Sequence, residues 1–111
     1  MFAVIYQGYI KTDREDDYKK SWHKIATYFT KHRGAIGSCL HQAENGLWLA
    51  YSRWPNRDTR DASWPGDSAL SKDLPDDIKV AVAMLKDCLD QERQLPEICM
   101  DVIDDLLIKT N

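Results

Sequence analysis

Asn45-Gly46 is the feature that most constrains this chain, because it separates two runs of alternating side chains, GAIGSCLHQAE and LWLAYSRWP. Both central residues of a two-residue primed turn need positive φ, which Asn tolerates and Gly adopts freely. The stretch Gly34–Pro55 therefore reads as a β-hairpin. With a two-residue turn, Glu44 opposes Leu47 and strand side chains alternate outward from that pair. One face then carries Gly37, Cys39, His41, Ala43, Trp48, Ala50, Ser52 and Trp54. The other carries Ile36, Ser38, Leu40, Gln42, Leu47, Leu49, Tyr51 and Arg53. The first face mixes tryptophans with very small residues, which leaves sockets for packed helices or room for a ligand.

The segments around the hairpin are legible from their spacing. Residues 2–11, FAVIYQGYIK, are rich in β-branched and aromatic types and predict a strand covered on both faces. Thr12-Asp13-Arg14-Glu15 has the form of a capping box. Tyr18, Trp22, Ile25 and Phe29 follow as one stripe, predicting a helix roughly from Asp13 to Arg33. His32 and Arg33 suit its C-terminal dipole, and Gly34 suits the left-handed position beyond it. Pro55 closes the hairpin, and Asn56 is placed to cap a short helix that Trp64-Pro65-Gly66-Asp67 breaks. Asp73-Leu74-Pro75-Asp76-Asp77 starts a further helix, with Ile78, Val82, Leu85 and Leu89 on its stripe and Pro96 as its stop. Glu97–Lys109 predicts a last strand, with Ile98, Met100, Val102, Leu106 and Ile108 on one face. Cys99, Asp101, Ile103, Asp105 and Leu107 fall on its other face.

Composition narrows the class. At 111 residues the chain is one domain, 1–111, and its formal charge of −3 argues against a nucleic-acid surface, which needs a basic face. No apolar run approaches the ~20 residues that span a bilayer, so no membrane partner is expected. The opening MFAVIYQGYIK lacks a basic lead-in and a small-residue cleavage site. Cys39, Cys88 and Cys99 are an odd number without CxxC spacing and read as buried thiols of a reducing compartment, the cytoplasm. No metal or other cofactor is expected. His23, His32 and His41 lie on different predicted elements, and the two glycines of Arg33–Ser38 match neither a phosphate loop nor a dinucleotide fingerprint.

The element order is βαββαβ, and right-handed crossovers lay both helices on one face of a four-stranded antiparallel sheet. The expected class is thus α+β, ferredoxin-like. Leu40, Leu47, Leu49 and Tyr51 make the uncovered face too apolar for water, so two sheets packed face to face in a symmetric homodimer are expected. A chain of this layout whose third strand leaves through WLAYSRWPN resembles the antibiotic-biosynthesis-monooxygenase-like (ABM) family. That family's third strand commonly ends in Tyr-Glu-x-Trp, followed by a short helix carrying a histidine. Tyr51 and Trp54 match the pattern; Ser52 stands at the glutamate position, and Ser63 or Trp64 in the region of the histidine. The resemblance implies a dimeric α+β barrel with a pocket between sheet and helices. It implies, in some members, oxidation of polycyclic phenols or quinols by molecular oxygen without metal or flavin. Haem-degrading members use a histidine on the second helix, and residues 74–94 contain none.

The candidate site is drawn from the first hairpin face. His41 has the pKa of ~6.5 that suits a base deprotonating a phenolic ligand near neutral pH. Trp22, Trp48 and Trp54 would wall an apolar or aromatic ligand beside Ser52, although each tryptophan equally suits a core. Two other roles stay open: a non-catalytic binding or stress-related dimer, and an interaction module using the Asn56–Asp73 segment.

Overall fold

The computed structural model describes residues 1–63 and 73–107. Strand β1 (Phe2–Gly8) is followed by helix α1 (Glu15–His32) and the hairpin of β2 (Gly37–Gln42) and β3 (Trp48–Trp54). A short helix α2 (Arg57–Ser63), helix α3 (Asp76–Cys88) and strand β4 (Ile98–Asp101) complete the chain. The strands pair antiparallel in the order β2-β3-β1-β4, the ferredoxin-like arrangement that the βαββαβ pattern predicts. Central β1 is the most apolar strand: Phe2, Ala3 and Val4 are buried. Among the described residues no helix is long and apolar enough to cross a membrane. The Trp64–Asp67 turn and the register of Ile108 lie outside the described residues.

Each helix uses the predicted stripe. Tyr18 and Phe29 of α1 and Ile78 of α3 are buried, with Trp22, Ile25, Val82 and Leu85 packed beside them. Strand β1 stops at Gly8, short of the expected Lys11, and three further ends differ from expectation. No capping box forms: α1 begins at Glu15, and its cap residue, Arg14, makes no side-chain cap bond. Asp13 adopts φ 68 and turns the chain instead, while Arg14 pairs with Asp17 at 3.2 Å and with Asp87 of α3 at 3.0 Å. Helix α3 stops at Cys88, well before Pro96. There the Cys88 carbonyl accepts from Lys11 N and Asp90 N donates to the Tyr9 carbonyl, both at 2.8 Å, so the chain runs extended beside Ile10. Strand β4 is shorter than Glu97–Lys109, because β1 pairs with it only from Phe2 to Ile5 before a last bond from Val102 N to the Met1 carbonyl. Gly34 does take the left-handed conformation, φ 83, and Ala35 N–H returns to the Phe29 carbonyl.

The hairpin corrects the sequence reading most. Cys39 pairs with Tyr51, Leu40 with Ala50 and His41 with Leu49, one step away from the register of a two-residue turn. The loop has three residues, Glu44-Asn45-Gly46. Gly46 N–H donates to the Ala43 carbonyl at 3.0 Å, and Ala43 N–H donates to the Leu47 carbonyl at 2.7 Å. Of the central residues only Gly46 has positive φ, 87, and the Asn45 side chain accepts from Leu47 N at 3.2 Å. This is a type I turn closed by a left-handed glycine, the usual three-residue hairpin loop. A one-residue slip moves every β2 side chain to the opposite face. Leu40 therefore joins the buried cluster of Tyr18, Trp48 and Cys88, whereas Cys39 and His41 are exposed on the open face. Burying Leu40 in place of an imidazole is the cheaper choice, since a buried imidazole needs partners and leucine needs none. Of the three cysteines expected to be buried, Cys88 is buried and Cys99 half-buried, while Cys39 is exposed for the same reason.

Candidate ligand cavity

On the helix-facing side, strands β1 and β3 present Phe2, Val4, Tyr6 and Gly8 opposite Trp54, Ser52, Ala50 and Trp48. The core between this side and the helices divides into two clusters. Phe2, Val4, Phe29, Trp54 and Ile78 form one, and Tyr18, Trp48 and Cys88 form the other. A cavity of about 560 Å³ is lined by members of both. Its floor is made of small residues (Gly8, Ala50, Ser52, Ser38) and its walls of Tyr6, Tyr18, Trp22, Phe29 and Trp54. Its rim comes from the link between α3 and β4, including Asp90, Arg93 and Glu97. Small side chains on adjacent strands beneath large ones on α1 leave volume that neither can fill, and this is why a cavity opens there.

The predicted site residues separate into two groups. Trp22, Ser52 and Trp54 line the cavity. Trp54 packs edge-on against Phe29 at 6.5 Å, and its indole N–H donates to Ser52 Oγ at 3.2 Å. Trp48 stands off the cavity and packs edge-on against Tyr18 at 5.7 Å. His41 lies on the other side of the sheet, with Nδ1 3.4 Å from the Leu49 carbonyl. The three-residue turn that reversed the faces of β2 removed it from the cavity. Among the described residues no histidine lines the space.

The main polar cluster at the wall was not anticipated. Arg60 of α2 has a side chain only 9% exposed. One guanidinium nitrogen donates to the Tyr6 hydroxyl at 3.2 Å and to the Glu97 carboxylate, and the other to Asp61 at 3.2 Å. Its Nε is buried without a hydrogen-bond partner among the described residues. Asn56 sets this helix in place, accepting from Thr59 N at 2.8 Å and from its hydroxyl at 2.9 Å. Ser63 ties the far end to the Arg33 carbonyl at 2.7 Å. Burial works against the Arg60 charge, but its bonds to Tyr6, Glu97 and Asp61 outweigh burial and hold the cation above its ordinary pKa. Burial raises the Tyr6 phenol despite Arg60, and pushes Tyr18 up to about 12. Both phenols are therefore protonated near neutral pH. Arg93 stacks over the Tyr9 ring at 4.0 Å and pairs with Asp90 at 2.9 Å. That pair, with the Glu92 amide, lowers the Asp90 pKa. A tyrosine in a largely apolar central strand was the available sequence signal for this cluster, because buried phenols require partners. Arg60, on a polar segment, gave none.

These features define a ferredoxin-like α+β protein with a helix-roofed, aromatic-walled cavity, the ABM fold. No family model matches the sequence, and no curated protein does. Solved structures match across nearly the whole chain. One is an antibiotic biosynthesis monooxygenase, with TM-score 0.67 and 16% identity over 94% of this chain and 100% of that one. SnoaB of Streptomyces nogalater, a cofactor-independent oxygenase, matches with TM-score 0.69 and 8% identity, covering 96% and 97%. Rv0793 of Mycobacterium tuberculosis matches with TM-score 0.68 and 13% identity, covering 95% and 97%. Identities this low establish a shared fold and leave chemistry to be argued from the residues.

Proposed function

We propose that this protein binds a planar aromatic metabolite in the cavity and acts as a cofactor-independent monooxygenase on a phenol or quinol. The observation that carries this reading is the 560 Å³ cavity itself, apolar and aromatic on its walls with a few polar groups at one side. An electron-rich substrate supplies all four electrons that dioxygen needs: one oxygen atom stays in the product and the other leaves as water. The protein contributes orientation, exclusion of water and charge stabilisation. No histidine lines the cavity among the described residues, so the reading favours substrates that ionise readily on their own. Homology of fold with an oxygenase supports it as analogy only.

The same chain is proposed to form a homodimer through the open sheet face, where Ile5, Leu49, Tyr51 and Met100 lie together. Ile103 and Leu106, at 91% and 87% exposure, supply further apolar surface beside it. Arg53 and Asp105, paired at 2.7 Å, hold that C-terminal segment against the sheet. Sedimentation at micromolar concentration checks this, and a lone protomer would remove it.

Oxygen uptake with a panel of hydroquinones and hydroxylated polycyclic phenols tests the enzymatic reading. Uptake above the uncatalysed rate, equal in wild type and His41→Ala, is expected; none above that rate would end it for the panel. A non-catalytic binder is the second reading, favoured by the engagement of Glu97, a rim carboxylate, with Arg60. Ligand-dependent thermal shifts without turnover would select it.

A further inference from the structure

We propose that Tyr6, backed by Arg60, donates a hydrogen bond to an acceptor oxygen on the bound ring, so that the cavity selects phenolates and quinone-type carbonyls over hydrocarbons. This rests on the reading of the cavity as a ligand site and names the group that sets its specificity.

Tyr6 lines the cavity, and its oxygen accepts from the Arg60 guanidinium at 3.2 Å. A phenol that accepts from a cation must direct its own proton elsewhere, and among the described residues no acceptor takes it. Burial keeps that proton on the oxygen at neutral pH, so Tyr6 is a donor throughout the physiological range. The buried cation behind it polarises the O–H bond and favours negative charge on whatever accepts from it. Among the described residues Arg60 Nε is buried without a hydrogen-bond partner, and Arg60 itself stands behind Tyr6 rather than in the cavity lining. Glu97 competes for the same guanidinium nitrogen and limits how much charge reaches Tyr6.

A matched pair of probes separates this claim from the cavity reading. 4-Nitro-1-naphthol carries an ionisable oxygen that is visible by absorbance; 1-methyl-4-nitronaphthalene has the same ring without it. Wild type is expected to bind the naphthol about tenfold more tightly than its methyl counterpart, with the bound naphthol's ionisation midpoint lowered by about one unit. Tyr6→Phe is expected to keep the affinity for the methyl probe and to lose both the preference and the shift. Glu97→Gln, which leaves Arg60 more fully to Tyr6, is expected to retain or enlarge them. Equal loss of both probes in Tyr6→Phe, or an unchanged preference, would overturn the role of Tyr6 while leaving the cavity in place. Loss of the preference in Glu97→Gln with methyl-probe binding intact would also count against it. Failure of wild type to bind either probe would remove the cavity reading and this inference together.

Discussion

The hairpin register makes a quantitative prediction, because it assigns opposite environments to two adjacent residues. Leu40 faces the helices opposite Ala50 and packs with Tyr18, Trp48 and Cys88, whereas His41 is exposed opposite Leu49. Truncating a buried leucine costs ~2–5 kcal/mol through lost transfer energy and a residual cavity. Leu40 is only partly buried, so Leu40→Ala should lie at the low end, about 2 kcal/mol. For a chain of this size that lowers the thermal midpoint by roughly 8 °C. His41→Ala should stay within ~0.5 kcal/mol, as for other exposed positions. Urea unfolding of both variants, with slopes equal to wild type, gives the comparison directly. Repeating it at two protein concentrations isolates any contribution of His41 to self-association, which would appear as a concentration-dependent midpoint. A cost above ~1 kcal/mol for His41→Ala at both concentrations, with less than ~0.5 for Leu40→Ala, would refute the three-residue turn.

Three further outcomes are expected. Gly34→Ala should destabilise by about 1–2 kcal/mol, because Gly34 sits at φ 83 and a Cβ there would lie 3.0 Å from Thr59 Cγ2; thermal unfolding measures it. Asn56→Ala should cost about 1 kcal/mol by leaving Thr59 N uncapped, and should weaken probe binding in the cavity by loosening the helix that carries Arg60. Tyr18, pushed up to about 12 by burial, keeps its proton in the folded state after the unfolded chain releases it near ~10. Stability is therefore fully present below pH ~10 and falls between pH ~10 and ~12, a decline that Tyr18→Phe should reduce in an alkaline unfolding series.

Local patterns carried most of the fold. The 3.6-residue stripes of α1 and α3 depend on spacing along one helix, and any fold that buries those helices must use them. The cap at Asn56 and the left-handed Gly34 are equally local, since their partners lie within a few residues. The helix ends were less legible. Arg14 is tethered to Asp87, seventy-three positions away, and α3 ends where Tyr9 and Lys11 take up its backbone groups. The site depended on such distant partners throughout. Tyr6, Arg60 and Glu97 come from β1, α2 and the approach to β4, and no spacing rule relates them.

The sequence by itself determined that a reversal occurs around Asn45-Gly46 and that Trp48, Ala50, Ser52 and Trp54 share a side, because alternation within one strand is a property of the strand alone. Which side of β2 joins them was decided only by tertiary structure. Glycine at position 46 satisfies both a two-residue and a three-residue loop, and the two differ by one step of register. Helix α1 and the Tyr18–Trp48 cluster resolve the choice by accepting Leu40, which turns His41 outward and leaves the polar contact at the cavity wall to Tyr6, with Arg60 behind it.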